Sequence, residues 1–509
     1  MIAKYHACCF WCSKVERCVI LENRNVVKNY LYNLLYQILI IVLPIITIPY
    51  LSRVLGADNV GIYSYTYSII TYFILVSKLG IIQYGKRKIA YLQTEKDERS
   101  KCFWELFFLR ICTVLLSLGV YAIFFWFNRE YSIYYRILSL ELIATIFDIS
   151  WFYQGIEDFK KVVLRNSVVK IITLAFIFLL VKEPGDLWKY ILIYVFSNFI
   201  GNITLWINLQ KYVDRIKIRT IDLKKHIKPC LSLFLPQIAI SIYTILDKTM
   251  LGAMCENIAE VGFYEQAQKI VKIPLLVITA LETVMIPRIA SVYVKKDFAK
   301  MKNYMKDSFQ FVWLLATPLV LGIVVIAPKF VPWFLGNEYL KSSLLMIVLS
   351  PIILFISLST ITGSQYFMTI KKENIHTAFV TIGAIINVLL NVVLIPKYYS
   401  LGAAIATLLA ELIIASAEII YILKKKMLTL DIIFKGFTKY LFCSAFMFLC
   451  IYLFNKYTPS GMTWTFATIM LGMFIYGLTL LIIRDDYVYS LFKLLKKKKQ
   501  IKKQRKILD

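Results

Sequence analysis

About fourteen apolar runs, each roughly 18 to 25 residues long, succeed one another from Tyr30 to the C-terminal region, and each can cross about 30 Å of hydrocarbon as a helix. They fall near 30–50, 62–84, 104–127, 137–156, 163–182, 187–208, 230–252, 262–287, 308–328, 343–370, 377–396, 401–423, 436–454 and 463–483. Segments such as Ile171 to Val181 are apolar on every face, so the ten-residue alternation of a membrane barrel is excluded. With 59% hydrophobic and 18% charged residues, a soluble domain of this length is excluded as well. The expected class is an all-α polytopic membrane protein in contact with a lipid bilayer.

One motif is stated twice. Leu55-Gly56-Ala57 followed by Val60-Gly61-Ile62-Tyr63 returns as Leu251-Gly252-Ala253 followed by Val261-Gly262-Phe263-Tyr264. Leu43-Pro44 is echoed by Leu235-Pro236, and Arg87-Lys88-Ile89-Ala90 by Arg288-Ile289-Ala290. Such duplication in a transporter marks two halves around a substrate path. The expected order is an N-terminal extension (1–28), a six-helix bundle (29–209), a basic linker (210–229), a second six-helix bundle (230–423), two added helices (424–484) and a basic tail (485–509). The two bundles are expected to face each other across that path.

The formal charge of +28 raises nucleic acid as a partner, but the basic residues lie between apolar runs and share no soluble face with aromatics. Most of the 59 Lys and Arg fall on the side of the N-terminus, so both ends are expected in the cytoplasm, with Lys493 to Lys506 against anionic headgroups. In the extension, Cys8, Cys9, Cys12, Cys18 and His6 fit no structural zinc spacing, and disorder is expected there. The other six cysteines are scattered, which argues against a disulfide framework.

Enzyme motifs do not emerge. Gly56 to Gly61 has phosphate-loop spacing, yet Ile62-Tyr63 stands where Lys and Ser or Thr are needed. His6, His226 and His376 all fall in expected cytoplasmic regions. No catalytic residue, metal or cofactor is expected. What remains is a set of ionisable residues within the spans, where each charge costs about 2.5 to 3.5 kcal/mol unless paired or in a polar cavity. Asp148, Lys272 and Glu411 are nearest mid-membrane; Asp247, Lys248 and Lys269 lie toward the outside; Lys78, Arg110 and Glu282 toward the inside. Glu265, Lys269 and Lys272 share one helical face.

Each has a plain structural alternative. Lys78 and Arg110 can snorkel to the interface, Asp247 and Lys248 can end a helix, and Glu411, among Ala403, Ala406, Ala410 and Ala415, can bond a neighbouring helix. Asn387 and Asn391 read as helix glue. Pro44 and Pro49, matched by Pro229 and Pro236, are either static kinks or hinges, with Pro44, Pro49 and Pro236 the hinge candidates.

Taken together, Pro49 to Gly56, Val60 to Tyr63, Leu79-Gly80, Tyr84 to Arg87, Trp151 with Gln154-Gly155, Leu246-Asp247, Tyr264-Glu265 with Lys269, Pro287 to Ile289, Asn387 with Asn391, and Glu411 resemble Wzx-type polysaccharide flippases of the multidrug/oligosaccharidyl-lipid/polysaccharide exporter superfamily. The resemblance implies two helical bundles around a central cavity and alternating access in a bacterial inner membrane. The implied substrate is an undecaprenyl-pyrophosphate-linked oligosaccharide moved to the outer leaflet for capsule, O-antigen or exopolysaccharide assembly, beside other polysaccharide-assembly membrane proteins. A cationic ladder of Arg53, Lys78, Lys248, Lys269 and Lys272 would then meet the pyrophosphate, with Asp148, Asp247, Glu265 and Glu411 as coupling groups or charge partners. Two rivals remain: a cation-coupled drug antiporter of the same superfamily, which calls for an acidic cavity, and a membrane enzyme of the same pathway, which calls for a large external loop.

Overall fold

The computed structural model of the chain describes residues 3–127, 129–217 and 221–489, with side chains from residue 39 onward except at 41, 159, 235–237, 239–243 and 283. The side chains of the extension's cysteines and of Pro236, and the whole tail from Lys493, lie outside what is described. The chain divides into two units, one formed by residues up to Leu55 with Thr66–Ile238, the other by Gly56–Tyr65 with Ala239 onward. This division differs from the linear one expected, because ten residues of the first motif copy join the second unit.

In the first unit lie parts of α1 (Ala3–Lys78) and the whole of α2 (Ile81–Tyr91), α3 (Lys96–Phe127), α4 (Ser132–Ala144), α5 (Ser150–Gly155), α6 (Phe159–Leu180) and α7 (Leu187–Thr204). The backbone of α1 is helical through the stretch 3–28 assigned above to a disordered extension. It continues through Pro44 and Pro49 and breaks at Gly56, where φ 79° and ψ 174° are accessible to glycine at no Cβ cost. The core is aromatic: Phe103, Trp151, Phe152 and Tyr153 are buried, and the rings of Phe103 and Trp151 stack with centroids 5.7 Å apart.

The basic linker is held on this unit. Asp214 donates its N–H to Ser100 Oγ (3.0 Å) and pairs with Lys96 (2.8 Å). Further on, the buried Glu105 meets Lys225 at 2.8 Å, His226 Nε2 at 2.8 Å and the Asp222 N–H at 3.1 Å. These bonds explain why the boundary falls after the linker, at Ile238.

The fourth apolar run is not one helix. It is α4, a 3₁₀ turn Thr145–Phe147, an extended Asp148 and α5. A break at membrane depth frees carbonyls that must be satisfied from within the protein. Asn202 donates to the Ala144 carbonyl (2.8 Å), Arg110 Nε to Thr145 (3.2 Å) and Trp206 Nε1 to Phe147 (3.0 Å). Asp148 in turn accepts the Ser150 N–H at 3.0 Å, which satisfies the first N–H of α5.

The second unit contains α8 (Lys224–Met254) from Ala239, α9 (Ala259–Lys272), α10 (Leu275–Val294), α11 (Phe298–Phe334), α12 (Leu340–Leu349), α13 (Ile352–Ser359), a π-helical segment Thr360–Phe367, α14 (Glu373–Tyr398), α15 (Ser400–Lys424), α16 (Leu430–Ile433), α17 (Phe437–Tyr457) and α18 (Met462–Ile482). Pro274, lacking an N–H, separates α9 from α10 within what reads as one apolar run. The two added helices are fastened to α11: Tyr476 donates to the Leu314 carbonyl (2.8 Å), and Thr317 Oγ1 and Ser444 Oγ lie 2.9 Å apart.

Among the described residues, ten helices are long and apolar enough to cross a bilayer, or eleven if the pair bent by 44° at Ser350-Pro351 counts as one span. The difference from fourteen has local causes. The two legs of α1 merge into one apolar stretch, Val42–Tyr91, the fourth run is broken at Thr145–Phe147, and part of α8 lies outside the described side chains.

Candidate functional site

In the second unit the polar residues of α8, α9, α14 and α15 converge. Glu265 is buried and binds two ammonium groups, Lys248 at 2.5 Å through Oε2 and Lys269 at 2.9 Å through Oε1. The shared face of α9 is therefore an ion cluster with a net positive charge. Lys269 and Lys272 occupy the last turn of α9, where the carbonyl end of the helix favours cations. A buried ammonium gains both from that end and from its acidic neighbours.

Asp247 does not sit at an exposed helix end. It is 2% exposed and accepts three hydrogen bonds: from Asn391 Nδ2 at 2.7 Å through Oδ1, and from Tyr264 Oη and Thr407 Oγ1, both at 2.7 Å, through Oδ2. Three donors on one carboxylate offset the cost of burying its charge. Asn391, which reads as helix glue, does bind across helices, and its partner is Asp247. Its own Oδ1, with Nδ2 of Asn387, is buried without a hydrogen-bond partner among the described residues.

Beside this network lies a cavity of about 290 Å³ lined by Asp247, Gln268, Lys272, His376, Thr407 and Glu411, among others. Of the expected ladder, only Lys272 lines it; Lys248 and Lys269 are engaged with Glu265. Two carboxylates and one ammonium face the same space. Glu411 sits on that wall as well as on the small-residue face of α15.

In the first unit, Lys78, Arg110, Asp148 and Glu141 act on one another electrostatically. Arg110 does not snorkel. It is 2% exposed, and its Nε and Nη1 donate to the carbonyls of Thr145 and Lys78. Arg53 is exposed and also belongs to this unit.

Three functional candidates escaped the sequence reading. Glu141, which accepts from Asn198 Nδ2 at 3.1 Å, lies seven residues before Asp148; Glu418, fully buried, lies seven after Glu411. A spacing of seven residues returns to the same helical face, and that was the available signal. His376 was read only as a cytoplasmic residue, yet it pairs with Glu418 at 2.6 Å. Among the described residues no group of three or more His, Cys, Asp or Glu is placed to hold a metal ion.

A chain with ten or eleven helices long and apolar enough to cross a bilayer among its described residues, folded in two units, is a multi-pass membrane protein. Residues 26–293, more than half of the 509, match the family described as Polysaccharide biosynthesis protein, and the chain belongs to that family. The Escherichia coli (strain K12) protein named "Putative O-antigen transporter" is 23% identical over 406 residues, which is 79% of this chain and 97% of that one. Among solved structures, lipid II flippase MurJ in an inward closed conformation superposes with TM-score 0.70 at 17% identity, covering 91% of this chain and 100% of that one. An inward-facing multidrug resistance MATE family transporter of the MOP superfamily follows with TM-score 0.58 at 12% identity, covering 78% and 94%. The fold and the Wzx-type resemblance read from the motifs thus agree.

Proposed function

We propose that this protein is a flippase that moves undecaprenyl-pyrophosphate-linked oligosaccharide repeat units from the cytoplasmic to the outer leaflet of the bacterial inner membrane. It acts by alternating access in surface polysaccharide assembly, with both termini in the cytoplasm and without enzymatic chemistry. The observation that carries this reading is Lys272 on a cavity wall at the end of α9, next to the paired Lys248 and Lys269. An unpaired pyrophosphate in hydrocarbon costs tens of kcal/mol by Born estimates. Ammonium groups held at depth lower that cost, and the lipid tail can stay in the bilayer. Glu265 holds Lys248 and Lys269 in place until the diphosphate competes for them, while Arg53 and Lys78 supply cationic contacts in the first unit. The name of the Escherichia coli relative supports an O-antigen type cargo.

The two carboxylates beside Lys272 favour a second reading, a cation-coupled antiporter of small molecules. Purified protein in proteoliposomes separates the two. Translocation of a lipid-linked oligosaccharide, without efflux of organic cations, is the outcome expected; efflux of cations without lipid translocation would favour the antiporter.

A further inference from the structure

Both described histidines pair with a buried glutamate, but the two pairs differ in what they face. In the first unit His226 is enclosed: Nε2 meets Glu105 at 2.8 Å, Nδ1 meets Tyr84 Oη at 3.0 Å, and Lys225 shares the carboxylate. Every polar atom of that pair is occupied, as befits a clamp on the linker. In the second unit His376 lines the cavity that holds Lys272, and its Nδ1 meets Glu418 Oε1 at 2.6 Å.

We propose that His376 and Glu418 form a proton-binding site of the transport cavity, taking a proton from the cavity and returning it during the transport cycle. This use of the site rests on the transporter reading above; the site itself does not. Glu418 is fully buried on α15, and its second oxygen accepts from Thr362 Oγ1 at 2.5 Å. A carboxylate so placed needs a compensating proton or cation. His376, with 12% of its side chain exposed, is the member that reaches the cavity, so a proton enters through the imidazole and is shared across the 2.6 Å contact.

Charged groups reach the cavity from several elements. Glu411 on α15, Asp247 on α8 and Lys272 on α9 line the same cavity, and Glu282 on α10 acts electrostatically on His376 while bonding Ser364. Glu418 and Glu282 are the carboxylates that act on the imidazole; Asp247, bonded to Asn391 fifteen residues further along α14, lies about 20 Å away. The residues before α14 and at its start are Lys371, Lys372 and Glu373. A positive charge on His376 is therefore met by Glu418 in contact with it.

The wall around the pair is also unusual. Thr362 belongs to the π-helical segment Thr360–Phe367, a widened turn of the kind found at functional sites. Within it Gly363 lies against the imidazole, where a Cβ would stand 2.3 Å from ring atoms. The ring thus rests on backbone, and the widened turn brings Thr362 to Glu418. Protonation changes the charge held by this turn and hence the bond that ties it to α15.

The test uses the full chain in nanodiscs and in proteoliposomes. Histidine ¹⁵N resonances, assigned with His226→Gln and His376→Gln, should show His376 changing protonation state between pH 5 and 8. The signature of a carboxylate bond at Nδ1 should disappear in Glu418→Gln. In proteoliposomes the rate of lipid-linked oligosaccharide translocation should respond to an imposed pH gradient, and His376→Gln should abolish at least three quarters of that response while His226→Gln keeps it. A His376 resonance fixed across the range, or a gradient response unchanged in His376→Gln, overturns the proposal. Because the titration is read on the wild-type chain, a variant that fails to fold does not remove the test. Titration of His376 with no translocation of any lipid-linked oligosaccharide would support the site and overturn the flippase reading alone.

Discussion

Gly61 and Gly262 occupy the same place in the two copies of the repeated motif and pack against each other reciprocally. A Cβ on Gly61 would stand 2.2 Å from the Ile258 carbonyl oxygen, and a Cβ on Gly262 would stand 2.2 Å from that of Ala57. Each glycine lies over the carbonyl four residues before the other, so the two motif copies cross with local twofold character inside the second unit. Glu338 strengthens this crossing by accepting the Ala57 N–H at 2.8 Å, just after the break at Gly56. The repeat is therefore a contact between its own copies as well as a record of duplication.

Gly61→Ala and Gly262→Ala should each lower stability by about 1 to 3 kcal/mol, because the intruding methyl meets backbone that cannot rotate away. Gly322→Ala, where a Cβ would meet nothing within 4 Å, should leave stability unchanged or slightly raised. Thermal unfolding of detergent-purified protein measures all three. Equal melting temperatures would remove the crossing as a structural element.

The ion cluster predicts an asymmetry between its members. Glu265→Gln leaves two ammonium groups facing each other around a buried amide, and should cost about 3 to 5 kcal/mol. Lys269→Ala removes a partner whose side chain is 42% exposed and should cost under about 1 kcal/mol. Denaturation of the two variants under the same conditions decides the order.

At the break in the fourth run, Asn202→Leu should orphan the Ala144 carbonyl at a cost of about 1 kcal/mol. Arg110→Lys should cost more, because one ammonium replaces a guanidinium that reaches the carbonyls of both Thr145 and Lys78. Amide exchange in Ser150 to Gly155 should rise in both variants. Wild-type protection there would show that the break is held by other bonds.

Long apolar runs made the helical membrane class legible, since their length matches a bilayer and their faces do not alternate. Asp148 was visible as a charge within an apolar run, but the break it sits in was not, because Thr145–Phe147 is as apolar as the helix around it. Pro44 and Pro49 read as kinks or hinges, and the helical break of α1 lies elsewhere, at Gly56, whose positive φ no composition reveals. Lys272, Asp247 and Glu411 were found one by one as costly residues; that they share a cavity depends on how α8, α9 and α15 pack. His376 and Glu418 sit 42 residues apart in sequence, and only the fold joins them.

In the function proposed above, Lys272 is the cation that meets the diphosphate in the cavity. The most direct measurement is translocation of a lipid-linked oligosaccharide in proteoliposomes by Lys272→Arg, Lys272→Ala and Lys272→Glu, with melting temperature recorded beside each rate. Lys272→Arg should keep much of the wild-type rate, Lys272→Ala should lose roughly thirtyfold, as expected for about 2 kcal/mol of lost ion pairing, and Lys272→Glu should be slowest. A stably folded Lys272→Glu protein that translocates at the wild-type rate would contradict it.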